Sequence, residues 1–262
     1  MTVITAEGLH KTYGEAVAVR DVSFTVEEGE SLAVVGESGS GKTTIARMLL
    51  GLEMPTGGSI TVCGRPRTPG RVSSKERRRR AREIQIVFQD PYSSLDKLQR
   101  AGDVIGTSLS LHFSLTPADL RRRTVELLES VGLGERHADM LPRQLSGGQR
   151  QRVAIARAIA VQPRVLVLDE AVAALDVSIQ AQILNLLADI RERGEISYVF
   201  ISHDLAVVNQ ISDTAIVMHR GEVVERGPTA DLLRAPAEPY TRALLAAVPR
   251  PGWTPTRRER SS

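Results

Sequence analysis

One ten-residue passage limits this chain more than any other: Val34-Val35-Gly36-Glu37-Ser38-Gly39-Ser40-Gly41-Lys42-Thr43. Ser31–Val35 is a short apolar run suited to a strand buried on both faces. From Lys42 the pattern turns helical and continues to Leu52. The glycines between them let the backbone curl so that successive N–H groups point inward at an anion. The helix that follows adds the partial positive charge of its N-terminus. Strand, Gly-x-x-x-x-Gly-Lys-Thr loop and helix in that order form a phosphate-binding loop. In this reading Gly36, Glu37, Ser38, Gly39, Ser40, Gly41, Lys42, Thr43 and Thr44 surround a nucleoside triphosphate. Lys42 reaches the β- and γ-phosphates, and the Thr43 hydroxyl ligates Mg²⁺.

The rest of the chain fits an α/β fold around that loop. Arg164–Leu168 and Tyr198–Ser202 repeat the short apolar pattern, and helical patterns follow at Ser178–Arg193 and Leu205–Ile211. Strands alternating with helices predict a mostly parallel sheet, the core of a P-loop NTPase. Val3 to Gly64 reads as several short β segments separated by Gly-containing turns such as Glu28-Gly29-Glu30 and Thr56-Gly57-Gly58-Ser59, an N-terminal antiparallel β subdomain. Residues 90–160 are richer in helical patterns. Pro117-Ala118-Asp119 is a helix start, Gly132 and Gly134 are stops, and the segment reads as a helical lobe inserted between core strands. From 250 to 262 periodicity disappears and disorder is expected. The domain reading is therefore 1–249 with a tail at 250–262.

Composition excludes several classes. Of 262 residues, 42% are hydrophobic and 25% charged, an ordinary globular balance. No run approaches the about 18 apolar residues of a spanning helix, and the first residues lack a secretory pattern. A cytosolic chain that meets a membrane only through partners is the expectation. The single cysteine, Cys63, excludes an internal disulfide. Net charge is +3, and the basic run Lys75 to Arg82 is broken by Glu76 and lacks interleaved aromatics. It reads as a solvated face rather than a nucleic-acid patch.

The loop alone does not separate an ATPase from a GTPase. A guanine-specifying Asn-Lys-x-Asp is absent, because neither Asn185 nor Asn209 precedes a lysine. Asp169 and Glu170 end an apolar strand, where one carboxylate can support Mg²⁺ and the next can polarise a water. Leu145-Ser146-Gly147-Gly148-Gln149 opens a further helix, and Ser with two Gly there offers a second anion site. Two anion sites per chain make sense if two chains pair head to tail, each capping the other's nucleotide.

Taken together, Tyr13, the loop, Gln89, Ser146 to Gln149, Val167 to Glu170 and His203 resemble the ATP-binding subunit of ABC transporters over nearly the whole chain. The resemblance implies a role for each position. Tyr13 stacks on adenine. Gln89 touches Mg²⁺ and the water, and links the site to the helical lobe. Asp169 supports the metal, Glu170 is the general base and His203 contacts the γ-phosphate. Ser146, Gly147, Gly148 and Gln149 meet the partner's ATP, and Asp176, in Ala174-Leu175-Asp176, lies on a loop crossing the dimer interface.

Gln89-Asp90-Pro91-Tyr92-Ser93-Ser94-Leu95 and Pro239-Tyr240-Thr241-Arg242-Ala243-Leu244-Leu245 resemble the oligopeptide, dipeptide and nickel importer ATPases, with 228–249 as their C-terminal extension. Glu238, where His is common, and Lys97-Leu98-Gln99 depart from that pattern. No cysteine follows Cys63, so the iron–sulfur cluster of some relatives is not expected. The resemblance implies ATP hydrolysis coupled to two transmembrane permease subunits, at the cytoplasmic face of the inner membrane. It also implies a second ATPase subunit, a related chain being preferred to an identical one, and an extracytoplasmic substrate-binding protein acting indirectly, with no nucleic acid. An exporter motor and a soluble ABC ATPase are the alternatives. The stretch Pro239–Leu245 argues for import, and the chain has neither tandem cassettes nor a coiled-coil insertion. The resemblance implies di- or oligopeptides, or a related small solute such as nickel, as the cargo.

Overall fold

A computed structural model describes residues 1–68, 70, 72–90, 95–194 and 196–246. Two sheets carry the architecture. The larger has six strands in the order β10-β9-β3-β8-β7-β6. Its centre is β3 (Ser31–Val35), β8 (Ser197–Ser202), β7 (Val165–Asp169) and β6 (Ile84–Val87), all paired in parallel, and β3 also pairs in parallel with β9 (Thr214–His219). β10 (Glu222–Pro228) closes one edge antiparallel to β9.

Every residue of β3, β7 and β8 is buried, as a parallel sheet covered on both faces requires. Side chains alternate between two apolar clusters with the period of a strand. Leu32, Val34, Val165, Val167, Val199 and Ile201 face one side, against α1 (Lys42–Leu49) and the N-terminal strands. Ala33, Val35, Leu166, Leu168, Tyr198 and Phe200 face the other, against the helices. Each fully buried side chain of this size contributes about 1.5–3 kcal/mol. The sheet is thus a rigid base whose strand ends hold the loops.

The smaller sheet differs from the expectation of several short β segments. It is built on two strands of twelve residues, β1 (Thr2–Tyr13) and β2 (Ala16–Glu27), with β4 (Gly57–Val62) and β5 (Arg65–Pro66). Register shifts interrupt the β1–β2 ladder, which breaks the alternation a reader of the sequence looks for. Gly57-Gly58 is not a separator but the start of β4. A Cβ on Gly58 would lie 2.3 Å from the Gly8 carbonyl oxygen, so only glycine allows this approach.

Between β6 and β7 stand α3 (Ala101–His112), α4 (Pro117–Ser130), two 3-10 turns and α5 (Gly147–Ile159), the inserted helical lobe. Thr116 caps α4 by accepting the Asp119 N–H at 3.2 Å. After Ser130 the chain turns at Gly132, φ +75°. The helix after the loop ends at Leu49 rather than Leu52, because Gly51 at φ +69° donates its N–H to Met48 and stops it. The remaining helices are α6 (Val177–Gly194), α7 (Leu205–Ile211), α8 (Thr229–Arg234) and α9 (Pro239–Ala246).

The basic run forms α2 (Ser74–Glu83), capped by Ser73. Part of its charge is paired on the protein itself: Glu76 with Arg79 and Arg80, and Glu83 with Arg65, Arg67 and Arg79. The tail at 250–262 lies outside the described residues. Among the described residues no helix is long and apolar enough to cross a membrane.

Candidate active site

The loop after β3 is shaped by two glycines that admit no other residue. A Cβ on Gly36 would stand 2.3 Å from the Met218 carbonyl oxygen, and one on Gly41 2.4 Å from that of Ala18. Both have positive φ, +154° and +104°. α1 begins with no side-chain cap and no acidic residue in its first turn, so its N–H groups and positive end are left for a ligand. Lys42 is buried, and its Nζ donates to the carbonyls of Gly36 at 2.7 Å and Glu37 at 2.8 Å. Burial holds its ammonium below the usual lysine range, against the pull of Glu170, Asp169 and Glu37. A charge so poorly solvated is suited to take a phosphate oxygen instead.

β7 delivers the carboxylates. Asp169 is its last residue and is buried, and Thr43 donates to its Oδ1 at 3.4 Å. Burial and then the neighbouring Glu170 push the Asp169 carboxyl up, while Thr43 and Lys42 draw it back. Glu170 follows in a left-handed conformation, φ +48°, fixed by its N–H to the Ile201 carbonyl at 2.9 Å. A non-glycine residue held there stores strain, which is common at reacting centres. The turn aims Glu170 at His203, whose Nδ1 is 3.3 Å from Oε1. His203 itself follows β8, so two adjacent strand ends present the pair.

A hard, oxygen-preferring cation fits this arrangement. The residues offer one hydroxyl, Thr43, and one buried carboxylate, Asp169, facing each other beside an open helix N-terminus. Among the described residues no group of three or more His, Cys, Asp or Glu could hold a metal alone. The set suits Mg²⁺, which keeps waters and is shared with phosphate oxygens.

Three further expected positions lie at the ends of elements. Tyr13 is half exposed at the end of β1. Its hydroxyl bonds the Glu53 carboxylate, which raises its pKa, and its ring lies 5.0 Å from Lys11 Nζ. Gln89 is exposed just after β6, and Asp176 is exposed immediately before α6.

Ser146 and Gln149 belong to a separate structure. Ser146 accepts the Gln149 N–H at 3.3 Å, and the Gln149 side chain accepts the Ser146 N–H at 2.9 Å, a reciprocal cap on α5. Gln149 also lies 3.4 Å from His137. Gly148 leaves room for Ile179, whose Cγ2 would be 2.5 Å from a Cβ. Local packing therefore accounts for Ser146, Gly148 and Gln149. Gly147 is the least constrained of the four, with Leu175 3.7 Å from its Cβ position. These residues bond one another and not the phosphate loop.

Sequence reasoning missed the supports behind the loop. Gly221 donates its N–H to Ser40 at 3.1 Å, and the Tyr240 hydroxyl accepts the Glu37 N–H at 3.2 Å. Both partners lie about 180 residues or more from the loop they hold, and nothing in the local pattern signals them.

Residues 19–173 match the family model of the ABC transporter, 155 of the chain's 262 residues (173 − 19 + 1). The chain belongs to the ABC transporter family. A second model, the C-terminal region of oligopeptide/dipeptide transporters, matches residues 224–261. The di/tripeptide transport ATP-binding protein DppF of Pseudomonas aeruginosa is 46% identical over 244 residues, 93% of this chain and 75% of that protein. The glutathione import ATP-binding protein GsiA of Escherichia coli is 48% identical over 92% of this chain, which spans only 38% of that longer relative. Among solved structures, a dimeric ATP-binding cassette in a post-hydrolysis state with ADP and Pi superposes with a TM-score of 0.78. It is 31% identical, covering 86% of this chain and 98% of its own. This ABC protein therefore carries an ATP-binding, ATP-hydrolysing cassette, and its core is that of the solved cassettes.

Proposed function

We propose that this chain is the ATPase motor of an importer for di- or oligopeptides or a related small solute such as nickel. The observation that carries the chemistry is the Glu170–His203 pair, 3.3 Å apart beside Lys42, Thr43 and Asp169. Lys42 binds the β- and γ-phosphates and leaves its loop carbonyls to do so. Tyr13 supplies the adenine platform, and Gln89 reports the state of the γ-phosphate. Glu170 accepts a proton from water as the water oxygen bonds the γ-phosphorus. The bond to the β–γ bridging oxygen breaks, giving ADP and phosphate. His203 orients Glu170 and meets the γ-phosphate. Thr43, Asp169 and Gln89 would hold Mg²⁺, which neutralises charge on the phosphates.

The assembly reading rests on the separation of the two anion-binding segments. Ser146 to Gln149 sit on α5 of the helical lobe, and a second subunit brings its own copy of them over this chain's loop, with Asp176 at the crossing. We keep residues 1–249 as one ATPase domain and 228–249 as its importer-type extension. A related chain is preferred as the second ATPase. Two permease subunits, fed indirectly by an extracytoplasmic binding protein, place the motor peripherally at the cytoplasmic face of the inner membrane.

Coupling runs through Gln89 and the following segment. Leu98 is 88% exposed and suits a docking helix of a permease. Leu95 is 3% exposed and belongs to the core, so it is not a docking residue, and Tyr92 lies outside the described residues. The C-terminal match at 224–261 and the DppF relatives support peptides as the solute class.

Two measurements test this. Purification from membranes in mild detergent should retain two permease subunits and a second ATPase, identified by mass spectrometry. Cells lacking the chain should lose uptake of labelled dipeptide, and a Glu170→Gln copy should not restore it. Unchanged uptake of peptides and nickel would refute the importer assignment.

A further inference from the structure

The phosphate loop is anchored by a residue that nucleotide chemistry does not call for. Tyr240 lies in the first turn of α9, and its hydroxyl accepts the N–H of Glu37 at 3.2 Å. The ring stacks flat on His219, with centroids 4.0 Å apart and 1° between planes, and His219 is the last residue of β9. The start of α9 is itself tied down. The Glu225 carboxylate accepts the N–H groups of Ala237 at 2.7 Å and Glu238 at 3.3 Å. Arg242 donates to the carbonyls of Pro236 and Ala237, and Thr241 is buried. Tyr240 is thus held by its ring, its helix and the turn before it, so the hydroxyl is a fixed acceptor.

The peptide group it grips is the one Lys42 must release. The Gly36 carbonyl, on the same peptide group as the Glu37 N–H that goes to Tyr240, accepts Lys42 Nζ at 2.7 Å, and the next carbonyl, that of Glu37, accepts Lys42 Nζ at 2.8 Å and the Ser40 N–H at 3.2 Å. When a phosphate draws Lys42 away, both carbonyls lose their cation and the Tyr240 bond to the Gly36–Glu37 peptide remains. Gly221 holds Ser40 in the same way from the turn between β9 and β10. The loop is therefore clamped from behind by residues 219–240, beyond the stretch matched by the cassette model at 19–173.

We infer that Tyr240 is a positioning residue for ATP binding, through which the C-terminal segment sets how well the phosphate loop is preorganised. This rests on the loop being the ATP site. Losing the acceptor frees the Glu37 peptide in the empty protein, and ATP binding must then order it again.

Tyr240→Phe in the full chain keeps the ring on His219 and removes only the hydroxyl. Affinity for a fluorescent ATP analogue should fall about three- to tenfold, the size of one neutral hydrogen bond. KM for ATP should rise by the same factor while kcat at saturation stays unchanged, a split that general destabilisation does not give. In the nucleotide-free protein, hydrogen exchange at the Glu37 amide should be protected in the wild type and fast in the variant. Wild-type affinity and unchanged exchange in Tyr240→Phe would overturn the inference alone. So would a variant whose kcat falls while KM holds. A wild-type chain that fails to bind the analogue would remove the ATP-site reading as well. If Tyr240→Phe folds poorly, an unprotected Glu37 amide in the folded wild type by itself overturns the anchor, and a protected one that ATP leaves protected supports it.

Discussion

Two glycine-rich segments open helices in this ABC protein, and they are finished in opposite ways. At Gly36–Thr43 the helix start is bare: Gly41 gives no side-chain cap, and the first turn carries no acid. At Ser146–Gln149 the start is closed by its own side chains in a reciprocal cap. The bare end needs a ligand to satisfy its N–H groups, whereas the capped end is already stable and can still offer one. A serine hydroxyl that accepts the Gln149 N–H keeps its own hydrogen to donate. The N–H groups of Gly147 and Gly148 have no intrahelical carbonyl to bond. The difference suits the loop to primary binding and leaves Ser146 able to make the partner-directed contact proposed above.

The largest expected effect tests the loop's side of that contrast. Glu170→Gln keeps the shape beside His203 but cannot accept a proton, so the hydrolysis rate should drop about 10²–10⁴-fold. ATP affinity should survive, and an ATP-bound dimer should accumulate on size-exclusion chromatography. Hydrolysis close to the native rate would exclude Glu170 as the base. Lys42→Ala should instead weaken ATP binding itself, because a charge-assisted phosphate contact is lost.

Next in size is a test of where Ser146 acts. A mixture of Lys42→Ala and Ser146→Arg chains puts both defects in one composite site of a mixed dimer. If identical chains pair head to tail, the other site is intact and activity returns. Activity that returns only with a different ATPase subunit would establish the related partner. Full activity from a strictly monomeric chain would remove both versions.

A finer test separates the cap from the phosphate contact. Aspartate caps helices as well as serine does, so Ser146→Asp should keep the thermal midpoint of the free chain. It should abolish ATP-dependent pairing, because a carboxylate repels the partner's γ-phosphate. Ser146→Ala should do the reverse in part, costing about 0.5–2 kcal/mol of stability through the lost cap. If Ser146→Asp pairs and hydrolyses normally, Ser146 is only a cap.

How much of this was legible in the sequence follows from distance along the chain. The loop could be read because strand, glycines, Lys42 and helix lie within about twenty residues, and each constrains the next. Asp169 and Glu170 could be read because an apolar run ends on them. β1 and β2 were harder, since register shifts near Gly8 and Lys11 break the alternation of two strands that are in fact long. Leu95 sits in a stretch of sequence without strand or helix periodicity, so nothing local marks it as core, yet it is buried. The Gln149 side chain was read through the family pattern, and its cap on Ser146 emerged only from the geometry. Tyr240 could be read as a marker of the importer group but not as a loop anchor, because 203 residues separate it from Glu37.

The smallest effect concerns stability rather than rate, and it runs opposite to the catalytic one. Asp169 is buried beside Glu170, and its carboxyl is pushed up by burial first and by that neighbour second. A carboxyl whose pKa is higher in the folded than in the unfolded chain binds protons more readily when folded. Its ionised form therefore weakens the nucleotide-free protein above the folded pKa, and the cost is relieved as pH falls through it. Asp169→Asn removes that charge and keeps an oxygen for Thr43, so the empty variant should be more stable than the empty wild type at neutral pH. The wild type should approach the variant in stability as the pH falls into the raised range. Mg²⁺-dependent hydrolysis should nevertheless be lost, because the charge that burdens the empty site is the one the metal requires. Denaturant titrations of both proteins at neutral and acidic pH decide it. A destabilised Asn variant at neutral pH would mean that Lys42 and Thr43 more than offset the burial of Asp169, and that the carboxylate side of the site is not held in reserve for a ligand as the bare helix start is.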